Sequence, residues 1–320
     1  MRRSEALVMT VVALAALSGC SSGPKGATPD NEPTLKTLAE RKIKVAPDAG
    51  IATSEAQALA AYQAFLKAAP SAPQRAEAMR RLGDLEMDLA DNRVAGGEAT
   101  GKPEDYKAAI TRYQEYLKAY PNDPKNDRVL YQLSRAHEQG GDLATALKTL
   151  DTLVAVYPGT AYANEVQFRR GELLFTQARY PQAEKAYATV LASAQRTPFH
   201  ERALYMQGWS QFKQGRLEEG LASFFGVLDQ LLPEGTGDAP LAELPGLKRS
   251  DRELVEDTFR VTSISLENLQ GAQAIPRYIT SPVRQAYEFR VYQQLAELFL
   301  KQDRPKDAAD TLGAFAQAHP

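Results

Sequence analysis

Three units run end to end from Leu130 to Leu232 and decide the fold: LYQLSRAHEQGGDLATALKTLDTLVAVYPGTAYANEV (130–166), QFRRGELLFTQARYPQAEKAYATVLASAQRTPFHERA (167–203) and LYMQGWSQFKQGRLEEGLASFFGVLDQLL (204–232). The small residues Ala146, Ala183 and Gly220 lie 37 positions apart in successive units. A sequence period between about 20 and 50 residues is typical of a solenoid, in which each repeat packs only on its neighbours.

Each unit has the pattern of two helices joined by a turn. Apolar residues recur at three- and four-residue spacings on both sides of a break centred on Gly or Ala. Small residues stand where the two helices are expected to approach each other, and a bulky residue four positions later is expected to fill the gap between hairpins. These bulky residues are Leu150, Tyr187 and Phe224. Pro158 ends a second helix because proline cannot continue the helical hydrogen bonds.

This pattern resembles the tetratricopeptide repeat, which has small residues at positions 8 and 20, a bulky residue at position 24 and proline at position 32. The resemblance implies an all-α fold, a right-handed α-solenoid of tetratricopeptide-like helical hairpins, over residues 51–320. Its period of 37 is slightly longer than the usual length of this family's repeat.

The same spacing extends in both directions from the three units. Ala58, Ala109 and Ala308 continue the series, with a surplus of 14 residues between the first two that falls in Ala90–Lys102. We expect that stretch to be a loop between helices Arg75–Leu89 and Pro103–Tyr120. A second insertion at Leu232–Ser250 precedes a predicted helix over Asp251–Leu269 and then a region broken by Pro276 and Pro282. We therefore predict six regular repeats and one degenerate repeat. Because no polar capping helix follows, we also expect either continuation beyond residue 320 or a partner that covers the last hairpin.

The first 50 residues have the pattern of a secreted, lipid-anchored protein. Arg2 and Arg3 precede the apolar run Leu7–Leu17, which is too short to span a bilayer comfortably. The closing Leu17-Ser18-Gly19-Cys20 resembles the bacterial lipobox, which implies a signal peptide over 1–19 and acylation of Cys20. Residues 20–50, rich in Gly, Pro and Ser at their start, read as a flexible tether. Ser21 after the cysteine resembles lipoproteins sorted to the outer membrane, so we expect a protein facing the periplasm.

Nothing in the sequence indicates catalysis. The net charge of −2 argues against a nucleic-acid surface, which normally carries a basic excess. The three histidines form no i, i+4 pair and have no cysteine partners, so we expect no zinc site, and no G-x-S-x-G motif occurs. Gly96, Gly101 and Lys102 have the spacing of a phosphate-binding loop, but Pro103 stands where a hydroxyl is needed. We predict a protein that is not an enzyme, with no cofactor, no metal and no small-molecule substrate.

The candidate binding site comes from the tetratricopeptide resemblance, in which certain positions of each first helix face a groove. The positions that carry over are Tyr131, Phe168 and Tyr205 (position 5), and Arg135, Glu172 and Trp209 (position 9). Aromatic side chains with a polar surround suit an extended peptide or a partner helix. A structural alternative stands beside this hypothesis, because position 5 is also aromatic in order to pack one hairpin on the next.

The sequence therefore predicts a protein-binding scaffold of the bacterial envelope, anchored to the membrane through lipid on Cys20, with envelope proteins as partners. It is similar in kind to the β-barrel assembly lipoprotein and to the repeat protein that coordinates the Tol-Pal system. The alternative is the recruiting arm of an envelope enzyme, or of a glycan-handling protein, whose catalytic part lies beyond residue 320. Repeats specify a shape, so sequence alone leaves the partner open.

Overall fold

The structure is a computed structural model that describes residues 49–194, 196–232, 239–244 and 246–320. The predicted signal peptide, the predicted acylation site Cys20 and nearly all of the predicted tether lie outside these ranges. Residues 50–320 form one compact unit. No helix in the described ranges combines the length and hydropathy needed to cross a bilayer.

All regular structure in the described residues is helical. The α-helices are α1 (Ala49–Ala68), α2 (Arg75–Ala95), α3 (Pro103–Ala119), α4 (Asn126–Gln139), α5 (Leu143–Val156), α6 (Ala163–Thr176), α7 (Tyr180–Leu191), α8 (His200–Lys213), α9 (Leu217–Leu231), α10 (Arg249–Glu267), α11 (Pro282–Gln285), α12 (Glu288–Lys301) and α13 (Pro305–Ala318). Short 3₁₀ helices cover Leu241–Glu243 and Gly271–Arg277.

Consecutive helices pack as hairpins, α2 with α3, α4 with α5, α6 with α7, α8 with α9 and α12 with α13. Each hairpin also packs on the next through α3 and α4, α5 and α6, and α7 and α8. In the degenerate repeat, the 3₁₀ segment and the single turn of α11 stand where a regular second helix would be. The predicted all-α, tetratricopeptide-like solenoid is confirmed.

Aromatic rings of the second helices pack directly over glycines of the first helices in the same hairpins. A Cβ built at Gly171 would lie 2.5 Å from Cε1 of Tyr187, and one built at Gly208 would lie 2.6 Å from Cε1 of Phe224. Both rings are fully buried. The bulky residue therefore fills space inside its own hairpin, over the small residue, and the expectation that it fills the gap between hairpins is corrected.

The helix before the first insertion is longer than predicted. Helix α2 continues to Ala95, whereas the sequence placed its end at Leu89. The extra turns are held by tertiary contacts, because Ala90 is fully buried and the hydroxyl of Tyr106 donates to Oδ1 of Asp91 at 3.0 Å. The remaining loop closes on Asp105, whose carboxylate accepts hydrogen bonds from the backbone N–H groups of Thr100 and Lys102.

The second insertion docks back onto the fold. Leu244 and Leu247 are buried in the hydrophobic cluster that surrounds α10 and α12. The irregular stretch after α10 is tied to α9 by Asp229, which accepts from Nη2 of Arg284 at 2.8 Å and from the hydroxyl of Tyr287 at 2.6 Å. Helix α10 itself begins and ends two residues before the predicted Asp251 and Leu269.

Candidate functional site

The first helices of the hairpins contact one another along one side of the repeats, and we call this surface the first-helix face. It is formed by α2, α4, α6, α8, α10 and α12. All six predicted binding residues lie on α4, α6 and α8. The predicted binding residues therefore come from three consecutive first helices.

Three ion pairs join the first four first-helices, α2, α4, α6 and α8, each to its neighbour. Nη2 of Arg128 on α4 lies 3.3 Å from Asp84 on α2, and Nη1 of Arg169 on α6 lies 3.8 Å from Glu138 on α4. The third pair joins Nη2 of Arg202 on α8 to Glu172 on α6 at 3.9 Å. We call this series the ion-pair ladder. Its members are partly exposed, so each pair contributes no more than about 1 kcal/mol.

Tyr131 and Phe168 pack between hairpins. The ring of Tyr131 stacks on Tyr162 with centroids 5.6 Å apart, and the ring of Phe168 stacks on Phe199 at 5.3 Å. Both side chains are buried. This is the packing role that the sequence left open for position 5, and the row of exposed aromatic rings does not form at these two residues.

The hydroxyl of Tyr131 is also fully engaged. It donates to Glu165 and accepts a hydrogen bond from Nε of Arg169 at 2.9 Å. Burial, with the hydrogen bond to Glu165, raises the pKa of Tyr131 to about 12. The role of Tyr131 and Phe168 in contacting a partner stays a prediction. In the structure, Tyr131 contacts the neighbouring repeat, and Phe168 contacts both the neighbouring repeat and Tyr187 of its own hairpin.

Tyr205 and Trp209 form a partly exposed aromatic surface on α8. Their ring centroids lie 6.4 Å apart, and the Trp209 ring lies 5.4 Å from Phe212 in an edge contact. Both rings rest on buried Phe224, and the ammonium of Lys213 lies 5.8 Å from the Trp209 ring. We call Tyr205, Trp209 and Phe212 the α8 aromatic surface. It combines an apolar body with accessible polar edges, as protein interfaces do.

Arg135 and Glu172, the two charged candidates, are both partly exposed. Nη1 of Arg135 donates to Oε1 of Gln132 at 3.0 Å, and its Nη2 lies 3.8 Å from Asp91. Burial raises the pKa of Glu172, and the guanidinium of Arg202 opposes that rise. Arg135 and Glu172 thus have partners within the protein, and their role in binding stays a prediction.

Sequence reasoning named Glu172 as a binding candidate but did not predict the ion pairs that bridge the first helices. A signal for them exists, since Arg202 follows Glu172 by 30 residues and Arg169 follows Glu138 by 31. Arg128 follows Asp84 by 44, which is 30 plus the 14-residue insertion. The spacing of 30 residues is seven shorter than the repeat of 37, and seven residues are about two helical turns. The carboxylate therefore lies about two turns further along its own first helix than the arginine lies along the next one. No group of three or more His, Cys, Asp or Glu side chains in the described ranges could hold a metal ion.

Comparison with known proteins identifies the repeat. Two family models of the tetratricopeptide repeat match the chain, one over residues 102–167 and the other over residues 168–233. These two segments include α3 to α9, the part with the regular period. The repeat fold is typically a non-catalytic scaffold that binds proteins. A search of curated proteins found no match.

Solved structures similar to this chain include residues 41 to the end of MamA from Desulfovibrio magneticus RS-1. That protein is 17% identical, with 73% of this chain and 93% of that one covered and a TM-score of 0.38. A tetratricopeptide-repeat protein from Parabacteroides merdae is 16% identical, with 74% and 80% covered and a TM-score of 0.41. These TM-scores are too low to support conclusions about partners or location.

Proposed function

We propose that this tetratricopeptide-repeat protein is a lipid-anchored scaffold of the bacterial envelope that binds a peptide or helix of a partner protein on its first-helix face. The observation that carries the proposal is the α8 aromatic surface, which is partly exposed beside the end of the ion-pair ladder. Aromatic residues dominate the energetics of many protein interfaces, because a large apolar ring is desolvated at little entropic cost.

The regular repeats support the choice of α8 over the preceding helices. On α4 and α6, position 9 carries the charged Arg135 and Glu172, and position 5 is buried against the next hairpin. On α8 both positions carry partly exposed aromatic rings, Tyr205 and Trp209. A partner that binds along the face therefore contacts charged side chains on α4 and α6, and aromatic rings that can be buried on α8.

The proposed location rests on residues outside the described ranges. Arg2 and Arg3, the apolar run Leu7–Leu17 and the Leu17-Ser18-Gly19-Cys20 motif have the order of a lipoprotein signal. The multiple acyl chains that the lipobox implies give stable membrane attachment, whereas a single chain is marginal. Ser21 supports the outer membrane, with the repeats facing the periplasm.

The binding proposal is tested by crosslinking in the native cell with the variant Tyr205→Ala/Trp209→Ala. Recovery of the partner should fall by about tenfold or more, as expected when about 1.4 kcal/mol or more of interface free energy is lost. Tyr157→Ala, a partly exposed tyrosine that ends a second helix, is the matched control and should leave recovery unchanged. Far-UV circular dichroism must be the same for all proteins. Unchanged recovery with the α8 variant would show that the α8 aromatic surface is not the binding site.

The anchoring proposal is tested separately with Cys20→Ala. Without the acylated cysteine, the protein should move from the membrane fraction to the soluble periplasmic fraction, where immunoblotting detects it. Persistent membrane association of this variant, after a high-salt wash that removes peripheral proteins, would contradict a lipid anchor.

A further inference from the structure

A cleft runs along the surface where α10 and α12, the last two first-helices, pack against each other. Its volume is about 540 Å³, and Ile264 of α10 and Leu298 of α12 give it an apolar lining. Three carboxylates, Glu253, Glu256 and Asp257, line it from the first half of α10, and two cations, Arg260 and Lys301, line it as well. The acidic groups outnumber the basic ones by one. A cavity of this size is within the range of sites that take up ligand groups.

The ion-pair ladder does not continue across this cleft. Such pairs join α2 to α4, α4 to α6 and α6 to α8, and among the described residues none joins α8 to α10 or α10 to α12. Two charged groups of the cleft, Glu256 and Lys301, form no ion pair with any described residue. The charges that close the face between earlier repeats are thus available here to a partner.

The remaining acidic groups are only weakly satisfied. Glu253 pairs with Arg249 at 3.1 Å, and Asp257 pairs with Arg260 at 2.7 Å, each within α10. All four side chains are more than half exposed. Exposed pairs of this kind contribute between about 0 and 1 kcal/mol, so a basic side chain from a partner can take the place of either arginine at small cost.

The dimensions of the cleft fit a helix. From Glu253 to Ile264 the lining residues span eleven positions of α10, which is about 17 Å or three turns. An amphipathic helix that lies along this length presents apolar side chains every three or four residues. Those side chains can reach Ile264 and Leu298, while lysine or arginine on the flank reaches the carboxylates.

We propose that the cleft between α10 and α12 is a docking site for a basic amphipathic helix of a partner protein. The cleft includes no residue of the α8 aromatic surface but adjoins it, since its Asp257 and Arg260 interact electrostatically with Tyr205. The proposal rests on the proposed function only in that the ligand is again a protein segment. The cleft lies outside residues 102–233, the part that matches the tetratricopeptide family models.

The experiment begins with selection from a displayed library of helical peptides of about 14 residues, or four turns, that is unbiased in charge. The bait is the full chain, and the same selection is repeated on Glu256→Lys. Sequences enriched on the natural chain should combine apolar residues at i and i+4 with an excess of lysine and arginine. Glu256→Lys should lose this preference for basic peptides. No enrichment, or enrichment of acidic or uncharged sequences, overturns the proposal.

The most enriched peptide is then titrated by fluorescence anisotropy against single variants. Glu256→Lys, at an exposed position, should weaken binding about tenfold, because the reversed charge repels the basic side chain that the glutamate attracts. Leu298→Ala should weaken it to a similar degree. Leu300→Ala on the same helix is the matched control, because Leu300 is 57% exposed and outside the cleft lining.

Two further outcomes complete the test. Trp209→Ala should leave the affinity for the selected peptide unchanged, so a failure of the α8 aromatic surface and a failure of the cleft are distinguished. If a second copy of this chain fills the cleft, Glu256→Lys will change the oligomeric state in sedimentation velocity, and the proposal of a basic partner helix is then wrong. Unchanged affinity for Glu256→Lys also overturns it.

Discussion

Exchanging the contact between Gly171 and Tyr187 for the one found in the preceding hairpin tests how the repeats are packed. A Cβ at residue 171 would lie 2.5 Å from Cε1 and 2.7 Å from Cζ of Tyr187, a ring with no exposed surface. Gly171→Ser therefore forces the ring to move, and overpacking of this kind costs about 1–3 kcal/mol. Tyr187→Leu alone leaves a cavity over Gly171, at a cost of about 2 kcal/mol.

The preceding hairpin shows the compensated pair. There the corresponding residues are Ser134 and Leu150, both buried, and Oγ of Ser134 donates to the carbonyl oxygen of Ala146 at 3.0 Å. The double variant Gly171→Ser/Tyr187→Leu recreates this arrangement 37 residues later. Its loss of stability should be smaller than the sum of the two single losses by about 2 kcal/mol, since residues in contact couple by about 0.5–3 kcal/mol.

The assay is urea unfolding of the four proteins, followed by far-UV circular dichroism. Additive effects, within about 0.5 kcal/mol, would refute the reasoning, because they would mean that the two residues do not share one space. Gly313→Ala on α13 is the control, as no atom lies within 4 Å of a Cβ built there. It should gain up to about 1 kcal/mol through helix propensity, and a loss there would indicate that glycine replacement is harmful for other reasons.

Two further changes address electrostatic contacts. Arg284→Ala should destabilise the C-terminal hairpins by about 2 kcal/mol, because it leaves Asp229 without its charged hydrogen-bond partner; an unaltered thermal midpoint would contradict this. Lys125 and Arg80 lower the pKa of Glu77 from 4.5 to about 2, so the stability from this carboxylate is fully present above pH 4.5 and is lost as the pH falls through about 2. Glu77→Gln should therefore be less stable than the natural chain at neutral pH and equal to it near the acid end, as urea midpoints across this window can show. A constant difference at all pH values would indicate a role other than charge.

The regular part of the fold was predictable because the same contact between the two helices of a hairpin recurs in each repeat. A small residue on the first helix and a bulky one on the second must appear together, so a spacing of 37 in the sequence is also a spacing in the structure. The end of α2 was not predictable in this way. Residues 90–95 contain Asp91 and Asn92 and run into Gly96 and Gly97, a composition typical of loops. They are helical because Ala90 is buried and Asp91 accepts a hydrogen bond from Tyr106 of the following helix. The local sequence pattern does not reveal these tertiary contacts.

The candidate site residues were predictable in their helices, and their role in binding stays a prediction. The resemblance assigned six residues to first helices, and they lie on α4, α6 and α8. It did not separate rings that pack a neighbouring hairpin, Tyr131 and Phe168, from rings that stay partly exposed, Tyr205 and Trp209. The difference depends on what the next repeat supplies. Tyr162 and Phe199 precede α6 and α8 and cover the first two rings, whereas the second insertion, Leu232–Ser250, follows α9 and interrupts that arrangement.

The same interruption accounts for the cleft. A carboxylate and an arginine meet across neighbouring first helices only when the repeat places them about 30 residues apart, and the second insertion and the degenerate repeat change that register. Ion pairs therefore join the first helices from α2 to α8, and among the described residues none joins α8 to α10 or α10 to α12. In the cleft between α10 and α12, Glu256 and Lys301 have no ion-pair partner among those residues. A solenoid that loses its period in this way keeps its hydrophobic packing, because Leu244 and Leu247 from the insertion fill the core beside α10. Irregularity in the repeat thus changes the surface more than the core, and it is at such positions that we expect partner specificity to reside.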